Sequence, residues 1–255
     1  MICEKNNRVQ LWRARPDAPW PVEWRGLTGL LDDAEQRQAG RFRFAADRRA
    51  YVLAHGLRRL ALAAWLEVPA ASLRFGATAS GQPRLLGAWR HPVFFSHTHN
   101  REAVLVALSE DAAVGIDVES TRGRPIDAAL LAGFIALPDM AEVDAFFYWT
   151  ALEAYWKAAG SGLAQGQPRL HVERCAEGLW LATPGMRMPA DAAASRPTLV
   201  LTVTAPPGCC ASLALHAPAG TQTLPLTGHA GWLIEEHDFA SEGAALPGLP
   251  GVSEL

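Results

Sequence analysis

Five residues in two segments have the types and spacing to do chemistry together. The segment Val114-Gly115-Ile116-Asp117-Val118-Glu119 sets two carboxylates two residues apart. On a strand, the period of two sends both acids to one face. Neighbouring carboxylates repel unless water solvates them or they share a cation. Hard oxygen ligands of this kind suit magnesium, which takes one or two carboxylates together with phosphate oxygens and water. The plainer alternative is two acids on the solvent face of an antiparallel strand. Further along, Trp149, Glu153 and Lys157 are spaced by four, so on a helix one stripe carries an aromatic, an acid and a base. As an isolated surface pair, Glu153–Lys157 would contribute only ~0.3–0.5 kcal/mol. Lys157 is nevertheless singular, because of 23 basic residues only Lys5 and Lys157 are lysines. A generic solvated cation in this chain is an arginine, whereas a compact ammonium fits beside a phosphate or hydroxyl.

A third group is the run Ser96-His97-Thr98-His99-Asn100. His97 can donate a hydrogen bond to an anion held beside a metal. A zinc site on the His97/His99 pair would need Cys or His partners at ligand spacing, and the chain has none suitably placed.

These groups need elements to position them. Residues 47–66 read as a helix with Leu53, Leu57, Leu60 and Ala64 on one apolar stripe and Arg48, His55 and Arg59 nearly opposite. Asp47 is the expected N-cap. Gly56 weakens the helix centre by roughly 1 kcal/mol relative to Ala. A polar connector, GATASGQPRLLG, leads to the apolar HPVFF and the histidine run. Segments 103–108 and 114–119 read as strands joined by the short SEDAA turn. A short helix is expected over 126–135. A longer one covers 143–159, stopping at Gly160-Ser161-Gly162, with Trp149, Tyr155 and Trp156 assigned to the core. Strand-like LHVERC, GLWLAT, TLVLTVTA and CCASLALHA follow, the last two separated by a Pro-Pro-Gly turn. The pentapeptide GQPRL occurs at 81–85 and 166–170, and helix, connector, strands recur in that order. The expected fold is α+β in two similar halves, 1–113 and 114–217. Residues 218–255 form a C-terminal extension whose Gly/Pro-rich end frays.

Composition bounds the rest. A chain of 255 residues, 49% hydrophobic and 19% charged, builds a sizeable core in one or two domains and is not disordered. A net charge of -3 offers no broad basic field, so neither nucleic acid nor a membrane surface is the expected partner. No apolar run reaches the ~18 residues of a membrane span. The amino terminus lacks a secretory pattern, so the expected compartment is the cytoplasm. Four cysteines, two of them adjacent, do not make a disulfide framework or a zinc ribbon.

In order, RFRFAADRRAY, GQP, FFSHTHN, VGIDVE and WTALEAYWKAAGSGL resemble the motif series of the 4′-phosphopantetheinyl transferases over roughly residues 25–217. The resemblance is to the long pseudo-dimeric, surfactin-synthetase-activating type, which serves fatty-acid, polyketide and nonribosomal-peptide carrier proteins. It implies a monomer of two α+β halves related by a pseudo-two-fold, with coenzyme A between them. It further implies Mg²⁺ bridging the coenzyme A pyrophosphate and Asp117, Glu119 and Glu153. By the same resemblance, Glu153 is expected to help deprotonate a serine of an apo acyl or peptidyl carrier protein, which would attack the β-phosphate and release 3′,5′-ADP. The resemblance assigns Lys157 to contacting the phosphates and protonating the leaving group, and His97 to holding a phosphate. Ser96, Gln82, Arg41, Arg48 and Arg49 are further expected coenzyme A contacts, guanidinium groups being suited to bidentate phosphate binding. Arg58 and Arg59 are equally assignable to structure or surface. Leu152, Gln82 and Ala50 stand where the family usually carries cations, and GFIALPD lacks the family's R-F-F pattern. The competing expectations are a non-catalytic coenzyme A or carrier-protein binding homologue, and an unrelated Mg²⁺-dependent phosphohydrolase.

Overall fold

The computed structural model describes residues 7–20, 23–89, 93–136, 144–161, 163, 168–185, 198–216 and 232–242. Its first part comprises β1 (Asn7–Ala14), α1 (Trp24–Leu30), α2 (Asp33–Arg41), α3 (Ala45–Leu66), β2 (Arg74–Ala77), β3 (Pro83–Leu86), β4 (Phe94–His99) and β5 (Val104–Ser109). Then follow β6 (Ala113–Ser120), α4 (Ala128–Phe134), β7 (Ile135–Ala136), α5 (Ala145–Ala158), β8 (Leu170–Ala176), β9 (Leu179–Pro184), β10 (Thr198–Thr202), β11 (Cys209–His216), β12 (Trp232–Asp238) and α6 (Phe239–Glu242). Helix and sheet mix as an α+β protein.

The strands form a four-stranded sheet, β12-β1-β5-β4, a six-stranded sheet, β6-β11-β10-β9-β8-β7, and the β2-β3 hairpin. Every residue of β5 is buried, which a strand achieves only when both its faces are covered. Val104, Val106 and Leu108 pack with Leu53, Leu57 and Leu60 of α3. The alternate residues Leu105 and Ala107 pack with Ile116, Val118 and Leu213 of the other sheet. On the far side of that second sheet, Leu152, Tyr155 and Trp156 of α5 cover Val200 and Ala214. The layers therefore run helix, sheet, sheet, helix.

This layering corrects several expectations. The SEDAA turn does join two strands, but they pair in different sheets: β5 with β1 and β4, β6 with β11. The polar connector supplies the turn and second strand of the β2–β3 hairpin, in which Arg74, just before it, lies opposite Leu86. Helix α3 begins earlier than expected, at Ala45 after an N-cap at Phe44 that has no side-chain cap. Asp47 instead lies in the first turn, where a carboxylate favours the helix dipole, and it accepts from Arg101 Nη2 at 2.9 Å. On the face of α3 opposite the leucines Arg48 is exposed, but further along the helix Arg58 and Arg59 are both buried. Gly56 has a packing reason: a Cβ there would meet Leu27 Cδ2 of α1 at 2.7 Å.

Part of the C-terminal extension is ordered. Strand β12 pairs in parallel with β1, aligning Val9 with Ile234 and Leu11 with Glu236. The Gly/Pro-rich end, Lys5, Gly162 and the first two residues of the second GQPRL copy lie outside the described residues. Cys175, Cys209 and Cys210 are free thiols. Among the described residues, no helix is long and apolar enough to cross a membrane.

Candidate active site

Strand β6 and helix α5 position the acids. On β6, Val114, Ile116 and Val118 enter the core between the sheets, so Gly115, Asp117 and Glu119 face the other way, toward α5. Gly115 has no side chain to hold the helix off: a Cβ there would fall 1.9 Å from the Ala154 carbonyl oxygen and 2.6 Å from the Ala158 nitrogen. The acids are therefore not decorating a solvent face.

Helix α5 is capped by Asp144, whose Oδ1 accepts from the backbone N–H groups of Phe146 and Phe147, both at 3.1 Å. It ends at Gly160, whose φ of 77° is the left-handed conformation that favours glycine. Between Phe147 and Ala158 every residue is buried except Trp149, Glu153 and Lys157. The stripe expected from their spacing is thus the only part of that stretch left partly open, and it runs along the acids of β6. Tyr155 and Trp156 are core residues as expected, but Trp149 does more, donating its indole N–H to Glu119 Oε1 at 3.2 Å.

Lys157 is not merely the helical surface partner of Glu153 that spacing alone would allow. Its Nζ is 2.6 Å from Asp117 Oδ1 and also donates to the Ile116 carbonyl at 3.1 Å. Asp117 Oδ1 accepts in addition from Thr98 Oγ1 of β4 at 3.2 Å, while Ser96 Oγ accepts from the Ile116 N–H at 3.2 Å. Strands β4 and β6 are each an edge of their sheet. Here side chains, not a strand ladder, satisfy the outward backbone groups of Ile116. The site therefore lies where the two sheets meet.

Electrostatically the acids crowd one another. Burial pushes the Glu153 carboxyl above its usual value, with repulsion from Asp117 and then Glu119 adding to it and Lys157 opposing. Glu119 rises for the same reasons, burial first and Asp117 second. Asp117 Oδ2 is buried and lacks a hydrogen-bond partner among the described residues. An orphaned carboxylate oxygen beside two mutually repelling glutamates is a hard, anionic donor set that fits a divalent cation. Among the described residues, however, no three His, Cys, Asp or Glu side chains are already gathered as a metal centre.

A small cavity of about 90 Å³ adjoins this group, lined by Gln82, Pro83, Phe95, Ser96, His97 and Lys157. Four of the residues expected to contact the cofactor thus share one pocket. Gln82 Nε2 reaches the Lys157 carbonyl at 3.4 Å, and Ser80 Oγ donates to the Gly160 carbonyl at 2.8 Å, so the β2–β3 turn caps the end of α5. Burial, reinforced by Arg58 and neighbouring histidines, holds the half-buried His97 imidazole well below its ordinary pKa and therefore neutral. A larger cavity of about 580 Å³, lined by Leu179, Leu201, Val203 and Ile234 among others, includes none of the expected site residues.

The expected arginines do not join that pocket lining. Arg41 ends α2 with one long contact, 3.5 Å, to Gln38. Arg48 lies over the Trp24 ring at 5.8 Å. Arg49 lies over Trp20 at 4.3 Å and donates to the Pro16 carbonyl. Arg58 and Arg59 are structural, both bound to the Glu35 carboxylate, with Arg59 also donating to the Leu73 carbonyl at 3.0 Å. Of the positions lacking family cations, Leu152 and Ala50 are buried. Thr98 and Glu35 were missed from the sequence. Thr98 shares the period-two face of Ser96, and Asp32-x-x-Glu35 is a readable capping box, with Glu35 N–H to Asp32 Oδ1 at 2.9 Å and Asp32 N–H to Glu35 Oε2 at 2.9 Å.

Residues 16–111 match the family model for the N-terminal region of 4′-phosphopantetheinyl transferases. The chain is 30% identical to the 4′-phosphopantetheinyl transferase HetI of Nostoc sp. (strain PCC 7120) over 171 residues, which is 63% of this chain and 72% of the relative. It is 26% identical over 167 residues, 62% of this chain and 67% of the relative, to a Synechocystis sp. (strain PCC 6803) protein named "Putative 4′-phosphopantetheinyl transferase slr0495". With an N-terminal family match and a 30%-identical relative covered over nearly three quarters of its length, this chain belongs to the 4′-phosphopantetheinyl transferases, and it is an enzyme of that family.

Proposed function

We propose that the protein transfers 4′-phosphopantetheine from coenzyme A to a serine of an apo acyl or peptidyl carrier protein, in a magnesium-dependent reaction that releases 3′,5′-ADP. The observation that carries this reading is the Lys157–Asp117 contact of 2.6 Å, which joins the α5 stripe to the β6 acids at the edge of the pocket. One ammonium, beside three carboxylates able to hold a divalent cation, suits a phosphate-rich ligand, and the family supplies its identity.

Each residue has a role its surroundings support. Glu153 takes the proton of the incoming serine hydroxyl. Burial and neighbouring acids raise its affinity for a proton, which suits a general base. The serine oxygen forms a bond to the β-phosphorus as the bond to the departing 3′,5′-ADP oxygen breaks. Lys157 donates a proton to that oxygen, and the proton taken up by Glu153 restores the ammonium. Neutral His97 donates a hydrogen bond to a phosphate oxygen, aided by Ser96 and Gln82 on the same pocket wall. Arg41, Arg48 and Arg49 meet the outlying phosphates; Arg41 and Arg48 form no ion pair among the described residues. Asp117, Glu119 and Glu153 are the residues that would hold magnesium, which when bound neutralises charge developing on the phosphate oxygens.

The same reading takes the chain as the long, pseudo-dimeric type, with halves 1–113 and 114–217. In its support, each sheet carries one long helix on its outer face, α3 on one and α5 on the other. The test mixes purified protein, coenzyme A, Mg²⁺ and a panel of apo carrier proteins and measures intact mass. A gain of one phosphopantetheine on at least one carrier is expected. No gain on any carrier, with coenzyme A binding retained, would favour a binding homologue instead.

A further inference from the structure

The layer between α3 and the four-stranded sheet contains a polar column that packing alone does not require. Tyr51, His55 and Arg58 share one face of α3, at spacings of four and three. The Tyr51 ring stacks on His55 at 4.0 Å and meets His99 of β4 edge-on at 6.1 Å. His55 meets His97 edge-on, with centroids 5.3 Å apart and planes at 83°. Behind His55 lies Glu35 of α2, whose Oε1 is 2.9 Å from His55 Nδ1. Glu35 is itself fixed by Arg58, by Arg59 through Nε at 3.1 Å and Nη2 at 2.6 Å, and by the Asp32 N–H at 2.9 Å.

The proton positions follow from the partners. A carboxylate can only accept, so the His55 proton sits on Nδ1, facing Glu35. Arg58 Nη2, 3.3 Å from the same nitrogen, then donates to Glu35 rather than to the ring. Burial keeps His55 below its ordinary pKa, so the ring is neutral with one tautomer selected. That fixed ring abuts His97, which opens onto the pocket shared with Lys157.

We propose that Glu35 and His55 are positioning residues for His97: the carboxylate sets the tautomer and tilt of His55, and His55 sets the ring orientation of His97 toward the bound phosphate. The proposal rests on the assignment of this pocket to coenzyme A. A column of polar groups costs desolvation that an apolar layer would avoid. Here the column ends at one side chain facing the ligand, and a site holds its geometry only when its supporting shell is itself locked.

The test is His55→Phe, which retains a ring against Tyr51 and removes the N–H to Glu35. We expect the KM for coenzyme A to rise about tenfold, the worth of one oriented hydrogen bond, with kcat changed by less than about threefold. In ¹⁵N-labelled protein the His97 imidazole signals should shift and broaden as the ring loses its fixed orientation. His55→Gln, which restores an N–H donor, should recover part of the KM. Glu35→Gln should shift the His97 signals in the same direction, but it also loosens two buried arginines, so His55→Phe decides. Wild-type KM together with unchanged His97 signals in His55→Phe would overturn the proposal. If the wild-type protein itself modifies no carrier, the functional reading fails separately, and the His97 signals alone decide the positioning role.

Discussion

Gly115 lies directly beneath Ala154: a β-carbon added to the glycine would reach within 1.9 Å of the alanine's carbonyl oxygen. That approach brings a strand of acids and a helix stripe bearing Glu153 and Lys157 close enough to interact. The obstruction is backbone, so no rotamer change can relieve it. Gly115→Ala should therefore destabilise the protein by about 3 kcal/mol or more, beyond ordinary overpacking. Gly56→Ala meets only the tip of Leu27 and gains helix propensity, so it should stay within about 1 kcal/mol of the parent. Urea unfolding of both variants checks the contrast, and equal losses would mean that α5 does not lie so close to β6.

Lys157 and Asp117 should behave as a coupled pair. Lys157→Met leaves a buried carboxylate with only Thr98 as a partner among the described residues, and should cost about 1–3 kcal/mol. Adding Asp117→Asn should return part of that loss. A double-mutant cycle measures the coupling, and strictly additive single losses would show that the contact contributes nothing to folding.

Glu153→Gln should abolish transfer to carrier protein while leaving the unfolding midpoint unchanged or slightly raised. The charged carboxyl is crowded by burial, Asp117 and Glu119, so a neutral amide relieves repulsion as it removes the base. Near-normal turnover in this variant would show that the acids have been misassigned.

Acid stability should report the Glu35 cluster. Burial alone would raise the Glu35 carboxyl, but hydrogen bonds from His55 and Arg59 and from the Asp32 N–H outweigh it and lower it to about 2. A carboxyl with a lower pKa folded than unfolded contributes stability that is complete above the unfolded value of about 4.5. That stability is lost as the pH falls toward 2. Glu35→Gln should thus be less stable at neutral pH, with the difference from the parent shrinking between pH 4.5 and 2 in denaturant titrations. A constant difference across that window would contradict the assignment.

Much of this site could be read from spacing. The period of two in VGIDVE places Asp117 and Glu119 on one face, and the period of four places Trp149, Glu153 and Lys157 on one stripe; both held because they are local consequences of backbone geometry. The main helices and most strands were legible for the same reason. The long polar connector was not, because its hairpin depends on cross-strand pairing such as Phe75 with Leu85. Nor was β12, which is held by pairing with β1 from the opposite end of the chain.

By itself, then, the sequence determined which side chains travel together: two acids on a strand, an acid and a lone internal lysine on a helix, a serine and histidine before them. Only the tertiary structure decided what those faces meet. Periodicity defines a face but is silent about its neighbour. The missing side chain at Gly115 let α5 settle on the acids of β6, so Lys157 found Asp117 across the layer instead of Glu153 along its own helix. In the same way, the polar side of α3 turned inward from His55 onward because Glu35, fixed by its capping box, was there to receive Arg58, Arg59 and His55. Both outcomes rest on contacts between residues distant in the chain, and pairings of that kind are settled by packing and electrostatics in the assembled layers.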